Sequence, residues 1–171
     1  MTSIAELDGC SPVEFVRLLD GVYEHSPWVA ERAARRRPFS TLERLHASLQ
    51  EEVLAAPEKD QLDLICAHPE LIGQQAPAET MSVESRSEQG SVGLNRSTEA
   101  EIEQMRELNR TYRARFGFPF VIAVRGLSRD DIVTEMRRRT QCSPAEEFHE
   151  CLQQIGKIAR MRLERLIMTA R

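Results

Sequence analysis

Apolar residues recur along this chain at intervals of three and four, and most such runs start behind a serine or threonine and stop near a proline. That is the punctuation of short amphipathic helices. Ser11-Pro12-Val13-Glu14 reads as a capping box with proline in the first helical position, followed by Phe15, Leu18, Leu19 and Val22 on an inward face. Ser26-Pro27 opens a second helix that Pro38 ends, and Ser40 with Glu43 caps a third carrying Leu42, Leu45, Leu49 and Val53 along one stripe. A fourth runs from about Glu58 to His68, with Leu62, Ile65 and Cys66 expected inside and Pro69 at its end.

A polar stretch around Gln74 to Ser82 interrupts this rhythm. Thr98 and Glu101 then form another capping box, ahead of a helix with Ile102, Met105, Leu108 and Tyr112 inward that reaches Arg115. Residues 116–126, FGFPFVIAVRG, have the aromatic and β-branched density of an extended segment, yet no partner strand is evident elsewhere. A sheet needs other strands to satisfy its edges, so a lone extended segment threaded through helices is the expectation. Ser128 starts the next helix, and Ser143-Pro144-Ala145-Glu146 caps the last and longest. The predicted class is all-α, a single-domain multi-helix bundle over residues 1–171.

The last helix carries Phe148, Leu152, Ile155, Ala159, Leu163 and Leu166 on its apolar stripe, and Arg162 falls on or beside that stripe. Arg160 points about 200° away around the axis. An inward guanidinium keeps its charge and needs a polar or anionic partner, either a structural bridge to Glu88 or another acid, or a bound ligand.

Composition excludes several classes. The chain has 171 residues, 41% hydrophobic and 29% charged, which is ordinary globular material large enough for a core. A net charge of −4 argues against a general nucleic-acid binder. The arginine clusters at 35–37 and 137–139 read as solvated helix faces. No run of about 18 apolar residues suggests a membrane span. The N-terminus lacks a secretory pattern and the C-terminal MTAR lacks an SKL-type address, so a cytoplasmic location is expected. The four cysteines form no CxxC pair, and Cys66 reads as a small buried thiol. No HExxH, EF-hand, GxGxxG or Walker pattern is present, so neither a metal nor a nucleotide cofactor is expected.

The candidate chemistry lies between residues 67 and 89. His68 sits at a helix end, where an imidazole can act as a cap or as a proton carrier. If the segment around Ser85, Glu88 and Gln89 is helical, their spacing puts all three polar groups on one side. Such a set could bind a small polar molecule, and with His68 it could also move a proton. A ureide-binding module without catalysis and a helical interaction protein are the alternatives.

The words HPELIG at 68–73, ESRSEQGSVGL at 84–94, LNRTYRARFGFPFVIAVRG at 108–126 and IARMRLERL at 158–166 together resemble the 2-oxo-4-hydroxy-4-carboxy-5-ureidoimidazoline (OHCU) decarboxylases. These enzymes form (S)-allantoin in urate breakdown. The resemblance covers nearly the whole chain and implies an all-helical, homodimeric carboxy-lyase that uses no cofactor. It places the family's catalytic residues on His68, Glu88 and Arg162, and substrate-binding positions on Pro69, Ser85, Gln89, Phe120 and Ile122. Glu70 and Ile72 depart from the common family residues, as does the Gly90-Ser91-Val92 stretch, which bears on pocket shape more than on chemistry.

Overall fold

The structure is a computed structural model that describes residues 2–71 and 98–167. Its regular elements there are helices: α1 (Ile4–Gly9), α2 (Pro12–Leu18), α3 (Trp28–Ala33) with a 3₁₀ turn at Ala34–Arg36, α4 (Leu42–Ala55), α5 (Glu58–Ala67), α6 (Glu99–Phe116), α7 (Arg129–Arg139) and α8 (Pro144–Leu166). Among the described residues no strand occurs, and the one ladder contact is an isolated bridge between Thr2 and Ile167. No described helix is long and apolar enough to cross a membrane.

Local chemistry explains most helix starts. The side chains of Ser11, Thr98 and Ser128 accept hydrogen bonds from the backbone N–H three residues on, and Thr98 with Glu101 and Ser128 with Asp131 complete reciprocal boxes. Three details differ from expectation. A first helix precedes Ser11, capped reciprocally by Ser3 and Glu6. Thr41, not Ser40, caps α4, because Ser40 takes a positive φ of 65° and its N–H donates to Asp8. The Glu14 carboxylate leaves the box at α2 and pairs with Arg17.

The chain forms two compact units, Met1–Leu64 with Ile155–Arg171, and Ile65–Gln154. In the first, α2, α3 and α4 pack together, and Phe15, Val29, Leu45, Leu49, Ala159 and Leu163 are buried. The four positions expected on the α4 stripe, Leu42, Leu45, Leu49 and Val53, are all in this core. Close approach of α8 to α4 depends on Gly156, whose carbonyl lies 2.8 Å from His46 Nε2 and where a Cβ would lie 2.6 Å from Gln50 Oε1.

In the second unit α6 packs on α7, and Met105, Tyr112, Phe120, Ile132 and Met136 form the centre. Helix α6 ends at Gly117, whose φ of 80° lets its N–H return to the Arg113 carbonyl. The chain then runs through residues 118–124 without regular structure and with Phe118, Phe120, Val121, Ile122 and Val124 buried, as a lone extended segment should. Side chains replace the missing neighbour strand. Arg139 Nη1 donates to the Val121 carbonyl at 2.8 Å, and the Ala123 N–H donates to Gln154 Oε1 at 3.0 Å.

Two inward expectations on α5 and a solvent-facing one on α7 are corrected. Leu62 and Cys66 are exposed, and the buried stripe instead passes through Leu64, Ile65 and His68, with Gln61 at its start. Arg137 and Arg138 are solvated, but Arg139 is fully buried, because the turn from 136 to 139 continues the face of Ile132 and Met136. In the other cluster, the half-buried Arg37 bonds the Ala34, Leu7 and Cys10 carbonyls.

Candidate active site

His68 is 6% exposed, three and four residues beyond Ile65 and Leu64 on the same buried stripe. Its N–H closes the end of α5 on the Ile65 carbonyl at 3.1 Å. A solvated cap is therefore not its role, and the imidazole lies inside the protein. The residues just after it are tied to α6. Arg113 Nε donates to Glu70 Oε1 at 2.7 Å, and Asn109 Nδ2 donates to the Leu71 carbonyl at 2.8 Å. Together with the half-buried Pro69, these bonds fix the chain leaving the histidine.

Phe120 is 2% exposed and its ring meets Tyr112 edge-on at 5.2 Å, with the Arg139 guanidinium 4.4 Å above it. Ile122 is buried two residues on, between the two backbone groups that Arg139 and Gln154 hold. Arg139 also binds both oxygens of Glu147, at 2.9 and 3.2 Å, and Tyr112 donates to the same carboxylate. Desolvation opposes the Arg139 charge, but the Glu147 bonds hold its pKa above the ordinary arginine value. Burial pushes the Tyr112 phenol well above its usual range and the Cys151 thiol up to about 11. Both are neutral groups in this network at physiological pH.

Arg162 faces inward, with its side chain 3% exposed. Nη1 donates to the Gly21 carbonyl at 2.9 Å and to Glu24 Oε2 at 3.0 Å, and the residue has further interactions beyond these two. The acid it meets among the described residues is Glu24, itself 1% exposed. Arg160 takes the opposite, partly solvated face and pairs with Glu43 and Glu164. Ser85, Glu88 and Gln89 lie outside the described residues.

Sequence reasoning missed Glu24, Asn109, Arg113, Arg139, Glu147 and Gln154. One signal was readable: Glu147 falls four and eight residues before Cys151 and Ile155, on the stripe that reaches Arg162. The others depend on neighbours distant in sequence.

Among the described residues the regular elements are helices, with a buried histidine closing one of them and a buried, carboxylate-paired arginine on the last. The sequence pattern of the family described as OHCU decarboxylase matches residues 8–164, so the chain belongs to the OHCU decarboxylase family. It is 42% identical to the 2-oxo-4-hydroxy-4-carboxy-5-ureidoimidazoline decarboxylase of Haloferax volcanii, over 87% of this chain and 86% of that one. It is 40% identical to a uric acid degradation bifunctional protein of Bacillus sp. (strain TB-90), over 97% of this chain but 32% of that protein. Its fold matches a crystal structure of (S)-allantoin synthase with a TM-score of 0.79 at 31% identity, covering 99% of this chain and 55% of the other.

Proposed function

We propose that this chain is a carboxy-lyase that decarboxylates 2-oxo-4-hydroxy-4-carboxy-5-ureidoimidazoline to (S)-allantoin in urate degradation, without a cofactor. The observation that carries the reading is the match along nearly its whole length to a decarboxylase of similar size. The span of the family match, residues 8–164, supports treating residues 1–171 as one catalytic domain.

The substrate supplies its own electron sink. Its carboxylate sits on a carbon that also bears a hydroxyl and adjoins a ring C=N bond, so the electron pair released with CO2 passes into the imine. The resulting enol-enamine takes a proton at the carbon bearing the ureido group, and the hydroxyl becomes the product carbonyl. The protein has only to orient the carboxylate, move protons and stabilise developing charge.

His68 carries the proton at the hydroxyl or ring nitrogen, since imidazole exchanges protons near neutrality, and its burial keeps bulk water from competing. Arg162 binds the carboxylate or a carbonyl through paired N–H donors. Phe120 and Ile122 provide an apolar surface that disfavours the charged carboxylate relative to neutral CO2. Glu88 orients His68 and accepts from ureido N–H groups, with Pro69, Ser85 and Gln89 completing recognition. The working form is a cytoplasmic homodimer that binds neither nucleic acid nor membrane.

The test uses freshly generated substrate, following loss of its ultraviolet absorbance and the optical rotation of the product. Enzyme-dependent acceleration with a single enantiomer is expected; racemic product at the spontaneous rate would refute the reading. His68→Asn should keep the fold and lower turnover by about a hundredfold or more, the usual scale for a positioned acid/base.

A further inference from the structure

We infer that Asn109 is a positioning residue for His68: its side-chain amide pins the backbone three residues beyond the histidine and so holds the imidazole in the place and direction that proton transfer needs. The functional half of this inference rests on the proposed role of His68 as proton carrier. The anchoring half stands on geometry alone.

A side chain at the last turn of a helix is poorly placed for precise work, since helix ends fray. His68 is held on its N-terminal side by α5, where its N–H donates to the Ile65 carbonyl at 3.1 Å. On its C-terminal side Pro69 restricts the backbone, and the chain then meets α6 twice. Arg113 Nε donates to Glu70 Oε1 at 2.7 Å, and Asn109 Nδ2 donates to the Leu71 carbonyl at 2.8 Å. The first contact is partly solvated, with the Arg113 side chain 52% exposed, and an ion pair of that kind contributes little. The second is buried, with Asn109 and Leu71 each 6% exposed, so water does not compete for the carbonyl. His68 and Glu70 make further interactions of their own, and Asn109 adds to these. All of these residues belong to one compact unit.

The anchor stands on a rigid element. Asn109 lies between Met105 and Tyr112 on the buried face of α6, four and three residues from them. Stability alone is a poor reason for an amide at that place. Among the described residues its Oδ1 is buried with no hydrogen-bond partner, a loss of hydration that an apolar side chain on the same face would avoid. What distinguishes asparagine from such a residue is its N–H donor, and that donor goes to the Leu71 carbonyl. A pin carried by a helix keeps the chain beyond His68 within the narrow tolerance that a positioned acid/base requires, which a loop would not.

The test compares wild type, Asn109→Leu, His68→Asn and the double variant. Proton–nitrogen-15 spectra of the histidine rings read the imidazole directly, with His46 and His149 as internal references, and steady-state kinetics on freshly generated substrate read the consequence. Asn109→Leu removes the unpaired Oδ1 together with the donor, two changes of opposite sign for stability, so the melting temperature should stay close to wild type. The His68 ring signals should shift and broaden while those of His46 and His149 stay in place. Turnover, kcat, should fall by about ten- to hundredfold with KM nearly kept, the scale for a reacting group displaced by about an ångström. Adding Asn109→Leu to His68→Asn should cause little further loss, because Asn109 acts through the histidine. Unchanged His68 signals in Asn109→Leu overturn the anchoring. A kinetic loss that persists undiminished in the His68→Asn background overturns the functional half and leaves a general structural role. Should Asn109→Leu fail to fold, Asn109→Asp keeps the shape but sets a second acceptor against the Leu71 carbonyl, and the same readings decide. A wild-type protein that does not accelerate decarboxylation counts against the proposed reaction alone, since the ring spectra decide the anchoring without turnover.

Discussion

Two buried arginines, one in each compact unit, face buried glutamates and yet are held in different ways. Arg139 is saturated by its own unit. Nε and Nη2 reach Glu147, Nη2 also lies 3.3 Å from Cys151 Sγ, Nη1 takes the Val121 carbonyl, and the Phe120 ring covers one face. Arg162 is gripped at Nη1 by Glu24 and a backbone carbonyl. The first guanidinium serves as a hub that ties a strand-like segment to two helices. The second meets a buried carboxylate and a backbone carbonyl at one corner and has further interactions beyond these. Burial of charge by itself says nothing of catalysis.

The comparison can be broken most severely at the hub. Arg139→Met leaves Glu147 buried without its partner and should destabilise the fold by about 3–5 kcal/mol, read by urea denaturation. Replacing Glu147 by leucine as well should return much of that loss, since a packed apolar pair removes both charges. A double variant no more stable than the single one would show that the bond to the Val121 carbonyl, and not the ion pair, carries the effect.

At Arg162 the expected loss is in binding. Arg162→Lys keeps a charge but not the fork, and should weaken binding of (S)-allantoin by about 1.5–3 kcal/mol in calorimetric titration. Arg160→Lys, on the solvated face, should bind almost normally. If Arg162→Lys melts lower yet binds as tightly as wild type, Arg162 is as structural as Arg139 and the contrast between them collapses.

The hub also has a pH signature. The Cys151 thiol is raised from 9.0 to about 11 in the folded protein, chiefly by burial. A raised pKa stabilises the fold fully below the unfolded value, and that stability is lost as pH rises through the folded one. Stability should therefore fall between about pH 9 and 11, by up to about 2–3 kcal/mol from this thiol, at roughly 1.4 kcal/mol per unit. Tyr112, raised in the same sense, adds to the decline above pH 10. Cys151→Ala should flatten the first part of this curve. The smallest effect is a difference in reactivity at neutral pH, where exposed Cys66 should be alkylated readily and Cys151 only on unfolding, as mass spectrometry of the labelled peptides would show.

The sequence by itself determined the helices and their faces, because periodicity and caps are local. Thr98 with Glu101, Ser128 with Asp131, the α4 stripe and the inward turn of Arg162 all follow from spacings of three and four. The lone extended segment was legible for a related reason, an apolar run with no second strand to pair with. Family membership was legible because four separated words matched together. Only the tertiary structure decided which polar groups are buried and with what. Periodicity left the arginines at 137–139 as an ordinary basic run, and it took the packing of Ile132 and Met136 to drive Arg139 inside. Likewise Glu24 and Arg162 are 138 positions apart, and Asn109 meets the Leu71 carbonyl across 38. Partners at such separations share no local pattern; they are chosen by chain folding, which must satisfy each desolvated charge with whatever acceptor the packing brings near.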